Sequence, residues 1–144
     1  MRFVVIVKAN KETEAGGLPS EQLVAEMSKY NEQLVNAGIM LGGEGLHSSA
    51  KGARVTFKKD KRIVTDGPFT ETKELIAGFW IWQTKSLKEA IDWARKCQNP
   101  TGDEGQLEIR QVMELDDFKH VSPEVIEHEK QVHAKARKLA ASKH

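Results

Sequence analysis

The residues best placed to do chemistry lie around Asp66-Gly67-Pro68-Phe69, where an apolar run (Ile63, Val64) stops at three residues that disfavour a continuing strand or helix. A carboxylate at a bend between buried segments can have its proton affinity raised and serve as a general base, which makes Asp66 the first catalytic candidate. The same run is also good turn chemistry, with Asp66 accepting a backbone N–H near Pro68 or Phe69. His47 follows the glycine-rich Gly42-Gly43-Glu44-Gly45 and is the second candidate. Brought near Asp66 it would form a proton-transfer pair; otherwise it is a solvated loop histidine. Glu71, Lys73 and Arg54 could hold a polar ligand or spend themselves in exposed salt bridges. Tyr30 could act as a phenolic acid, or belong to the core or the dimer interface. Trp80, Trp82 and Phe69 would supply aromatic walls.

Other reactive side chains fit a site less well. His128 and His133 are five apart, whereas a zinc-binding helix needs i, i+4 spacing to bring both to one face. No metal site is expected, and no organic cofactor. Gly42 to Gly45 lacks the Gly-Lys-Ser/Thr element of a phosphate loop and does not precede a helix. Cys97 is the one cysteine, so no intrachain disulfide forms and a reducing cytoplasmic setting is expected.

The elements that must position these groups follow from periodicity. Phe3 to Val7 reads as a strand apolar on both faces. Lys8 to Gly17 reads as a loop. Ser20 caps a helix with Leu23, Met27, Tyr30 and Leu34 on one stripe and Gly38 as its stop. Ile39 to Leu41 is a second strand whose glycine-rich exit is too irregular to continue it. Ala53 to Phe57 and Arg62 to Thr65 form a hairpin about a charged turn. Gly78 to Thr84 is a strand with Phe79 and Ile81 on one face and Trp80 and Trp82 on the other. Ser86 and Glu89 make a capping box for a helix burying Leu87, Ala90, Ile91 and Ala94. Leu107 to Met113 is the last strand. Ser122-Pro123 opens a terminal helix with a weak stripe of Val125, Val132, Ala136 and Leu139 and with Lys135, Arg137, Lys138 and Lys143 toward its end.

This order predicts an α+β fold of the ferredoxin-like split βαβ type over residues 1–115, with an inserted hairpin and a C-terminal helical extension over 116–144. Helices cover one face of such a sheet. The strands are apolar on both, and an uncovered face carrying Trp80 and Trp82 would cost roughly several kcal/mol. A homodimer packed sheet to sheet is therefore expected. A length of 144 residues suits one core, and a net charge of +1 gives no global field toward nucleic acid or an anionic membrane. The longest apolar runs are too short to span a bilayer.

Val64-Thr-Asp-Gly-Pro-Phe-Thr-Glu-Thr-Lys-Glu74 followed by Gly78-Phe79 closely resembles the signature of the DGPF-domain branch of the YCII-related family. Tyr30-Asn-Glu32, Gly43-Glu-Gly-Leu46 and Glu89-Ala-Ile-Asp-Trp-Ala94 extend the resemblance over about residues 1–115. It implies a ferredoxin-like fold that dimerises into an α+β barrel, and no settled reaction. Relatives resembling enzymes carry a histidine on the first helix that can pair with an aspartate; residues 20–37 contain none here, and Met27 and Tyr30 stand near that place. Related domains occur beside extracytoplasmic sigma factors, so the resemblance also implies a protein partner as the alternative to a small-molecule site.

Overall fold

A computed structural model describes residues 1–102 and 104–142; Lys143, expected near the end of the terminal helix, lies outside the described residues. The chain divides into two compact units, residues 1–112 and 113–144.

The first unit is built on a four-stranded antiparallel sheet of β1 (Arg2–Lys8), β2 (Met40–Gly45), β5 (Ile76–Gln83) and β6 (Leu107–Gln111), in the order β2-β5-β1-β6. The four-residue helix α1 (Lys11–Glu14) and the helix α2 (Glu21–Asn36) lie between β1 and β2, and α3 (Leu87–Ala94) lies between β5 and β6. Each βαβ unit leaves a gap that a strand of the other fills. This is the split arrangement the element order calls for. The hairpin of β3 (Ala53–Lys58) and β4 (Lys61–Asp66) forms a separate two-stranded sheet.

Local chemistry accounts for the helix boundaries. Ser20 accepts the Leu23 N–H at 3.1 Å, and α2 ends before Gly38, whose φ of +73° suits a residue without a Cβ. Ser86 accepts the Glu89 N–H, but the Glu89 carboxylate takes its return bond from the Lys85 N–H, one residue before the cap.

The core lies between the sheet and α2 and α3. It gathers Phe3, Val5 and Val7 of β1, Trp80 and Trp82 of β5, and Tyr30, Leu34, Ile39 and Ala90. Here the structure reverses an expectation. Val5 stands opposite Trp80 and Phe3 opposite Trp82, so the tryptophans share the face that the helices cover. The opposite face, turned away from α2 and α3, carries Val4, Ile6, Phe79 and Ile81, all partly buried. Leu87 and Ile91, expected to be buried by α3, are 48% and 40% exposed, and Ala90 is its one fully buried residue.

Two further expectations are corrected. Lys8 to Gly17 is not all loop. Asn10 caps α1 by accepting the Thr13 N–H at 2.9 Å, and Thr13 bonds back to the Asn10 N–H. Nor does β2 stop at its glycines; it runs through them after an irregularity between Met40 and Gly42. A Cβ on Gly43 would stand 2.8 Å from the Trp80 ring and 2.9 Å from the Phe79 carbonyl oxygen. The missing side chain lets the strand lie flush against Trp80.

The second unit holds a short 3-10 turn (Leu115–Asp117) and α4 (Pro123–Ser142). Proline stands at the first helical position as expected.

Candidate functional site

The connection from β2 to β5 spans residues 46–75 and contains most of the residues singled out above. It begins with Leu46 and His47, makes a 3-10 turn at Ser49–Lys51, runs out and back as the hairpin, bends at Asp66 to Phe69, and makes a second 3-10 turn at Thr72–Glu74.

Ser49 is the post on which this connection hangs. Its N–H and hydroxyl both donate to the Glu14 carboxylate of α1, at 3.0 and 2.5 Å. Its hydroxyl oxygen accepts the Phe69 N–H at 2.9 Å. The Gly67 N–H donates to the Gly52 carbonyl at 3.0 Å, so the bend is stitched to the 3-10 turn at two points. A Cβ on Gly67 would stand 1.7 Å from the Ser49 carbonyl oxygen, which only a glycine avoids. The Gly67-Pro68 peptide is cis. The amide expected to turn back onto Asp66 is thus given to Ser49.

Between this connection and α1 lies an open groove of about 350 Å³. Leu46, Leu75 and Ile76 supply its apolar wall, and Glu14, His47, Ser48, Ser49 and Lys51 its polar groups. The partly buried Glu14 is committed to Ser49, and His47 and Lys51 are the other ionisable side chains of the lining. An apolar wall with a few convergent polar groups is the usual character of a small-molecule site.

The candidates divide into three sets. Arg54, Phe69 and Glu71 are brought together: the Arg54 guanidinium lies 3.8 Å from the centre of the Phe69 ring and pairs with Glu71 at 3.3 Å. The Glu71 carboxyl is held below the usual carboxylate range, first by its own backbone N–H and then by Arg54. His47 lines the groove, whereas Asp66 stands exposed at the base of the hairpin opposite Ala53. No hydrogen bond or ion pair among the described residues joins the two. Lys73 is exposed on the second 3-10 turn.

Tyr30, Trp80 and Trp82 form the third set, and they belong to the core. Tyr30 donates to the Trp93 carbonyl at 2.6 Å and meets the Trp80 ring edge-on at 6.0 Å. Burial pushes its phenol above the ordinary value, and the nearby Cys97 adds to this. Trp80 is 5% exposed and donates its indole N–H to Asn31 at 2.9 Å; Trp82 is fully buried. None of the three lines the groove. Glu14, Ser49 and Leu75 were not foreseen. A serine in Ser48-Ser49 and an acid in a four-residue helix carry no sequence signal until the fold joins them.

Among the described residues no cluster of three or more His, Cys, Asp or Glu is arranged to hold a metal ion, and no helix is long and apolar enough to cross a membrane.

The fold and groove define the class: a small split βαβ domain with a long, stitched connection between its second and third sheet strands. Residues 1–116 match the model of the YCII-related domain, and the chain belongs to that family. It is also similar to an uncharacterised protein of Rhizobium meliloti (strain 1021), 33% identical over 90 residues that cover 62% of this chain and 73% of that protein.

Proposed function

We propose that the protein binds a small molecule with an apolar body and an anionic or polar group in the groove between α1 and the β2–β5 connection. The observation that carries this is the groove itself, about 350 Å³ with an apolar wall of Leu46, Leu75 and Ile76 beside His47 and Lys51. Its Ser49 post also fixes the Asp66-to-Phe69 bend, which carries the Phe69 ring that Arg54 stacks on. If the site turns substrate over, His47 is the proton carrier, with Asp66 a partner only after the hairpin base moves. Titration with small aromatic carboxylates, followed through the amide resonances of Ser49, Leu75 and Ile76, tests the reading. Saturable shifts that His47→Ala and Lys51→Ala weaken are expected; unresponsive amides across the series sink it.

The same proposal includes pairing with a second copy through the sheet face opposite α2 and α3, closing a dimeric α+β barrel. Val4 opposite Ile81 and Ile6 opposite Phe79 make an apolar, partly buried patch there. Sedimentation giving a monomer at every concentration would remove it.

A second reading rests on α4, where Val125, Val132 and Leu139 are 57%, 44% and 52% exposed at seven-residue spacing. In that reading the helix is a surface for a protein partner such as a sigma factor. Deleting residues 121–144 would then abolish partner capture and leave groove binding intact.

A further inference from the structure

The groove leaves the β3–β4 hairpin unexplained. Every residue of both strands is exposed. The register puts Val55 opposite Val64 and Phe57 opposite Arg62, so these share one face. Val55, Phe57 and Val64 are 52%, 69% and 66% exposed, and the Arg62 guanidinium lies over Phe57 at 4.6 Å. The other face carries Arg54, Lys58 and Lys61 among threonines and Ile63. An isolated two-stranded hairpin is marginal in water, and a contiguous apolar face on it marks a contact surface.

Charge indicates what that contact is. Residues 51–66 hold six Lys and Arg against two Asp and Glu, a net +4. The rest of residues 1–112 holds ten against thirteen, a net −3. The chain thus carries a basic, apolar-faced projection on a unit whose remaining residues have the opposite net charge. The hairpin lies in the connection between β2 and β5, and β5 also carries Phe79 and Ile81 of the face opposite α2 and α3.

We propose that the β3–β4 hairpin is an intersubunit arm, packing its Val55-Phe57-Val64 face onto the body of a second copy of this chain. The inference rests on the pairing proposed above and adds a surface to it. Opposite net charges speed the encounter of arm and body, and the buried apolar face holds it. Because the arm springs from the Gly52 and Gly67 stitch, it also ties the rim of one copy's groove to the other copy.

Sedimentation equilibrium of the full chain, Val55→Glu/Val64→Glu and Phe79→Lys tests the arm, with hydrogen exchange of the hairpin amides at low and high concentration as a second readout. Both strand positions are exposed, so circular dichroism of the double variant should match the parent. The expected result is a dimer whose dissociation constant rises at least tenfold in the double variant, with hairpin amides protected only at high concentration. A parent dimer that the double variant leaves equally tight, with hairpin amides still unprotected, overturns the arm while leaving sheet pairing standing. A parent that is monomeric throughout overturns both. Hairpin protection that appears only on adding duplex DNA reassigns the basic face to nucleic acid and also overturns the arm.

Discussion

The strand β5 and the β3–β4 hairpin have similar residue types and opposite fates. Both are rich in β-branched and aromatic residues, yet β5 is paired on both sides and buries Gly78, Trp80 and Trp82, while the hairpin buries none of its strand residues. The difference is what stands next to them. β5 sits between β1 and β2 beneath two helices, whereas β3 and β4 have only each other. One region carries the stability of the domain, and the other, exposed along its whole length, adds little to it.

That contrast can be broken most severely in the core. Trp82→Ala removes the largest fully buried side chain and is expected to cost about 3–5 kcal/mol, read from denaturant unfolding with an unchanged slope. Its indole N–H has no hydrogen-bond partner among the described residues, so packing accounts for the loss.

Gly67→Ala comes next. The new Cβ meets the Ser49 carbonyl, and a displacement costing about 1–3 kcal/mol is expected. The disturbance should stay in the connection, visible as shifted Ser49 and Phe69 amides with the β1 and β5 amides unmoved.

Tyr30→Phe deletes the hydroxyl that donates to Trp93 and should cost about 1 kcal/mol at neutral pH. Its pH dependence carries a sign. The folded phenol is pushed above its ordinary value of 10.0, and the Cys97 thiol is pushed from 9.0 to about 11, both by burial. The unfolded chain therefore gives up these protons first, and stability falls as pH rises from 9 upward. Tyr30→Phe should flatten the part of that fall lying above pH 10.

Arg54→Ala should have the smallest effect, since both partners of its pair are exposed. The unfolding midpoint should hardly move. The Glu71 carboxyl should rise part of the way to its ordinary value in a carbon-detected NMR titration, because its own backbone N–H remains the larger influence.

The sequence makes the framework legible wherever one physical signal dominates. Ser20 and Ser86 mark their helices, the alternation in β5 marks its two faces, and the charged turn at Lys58 to Lys61 marks the hairpin. It cannot say which face of β5 turns inward, because Phe79 and Ile81 are as apolar as Trp80 and Trp82 and only the positions of α2 and α3 choose. The glycines of β2 read as irregular, since the ring that needs Gly43 bare lies 37 residues on at Trp80. The Asp66-Gly67-Pro68-Phe69 bend was legible as a place, but its meaning was not. The aspartate drew attention, while the glycine and the Phe69 amide make the contacts that shape the groove.

Asn10 has a reach out of proportion to its size. Its side-chain oxygen fixes α1, whose Glu14 anchors Ser49, and its amide nitrogen donates to the carbonyls of Thr101 and Glu104 more than 90 residues along the chain. A residue that lines no part of the groove therefore shares a mechanical linkage with its floor, and slack introduced there would be felt at a wall it never touches.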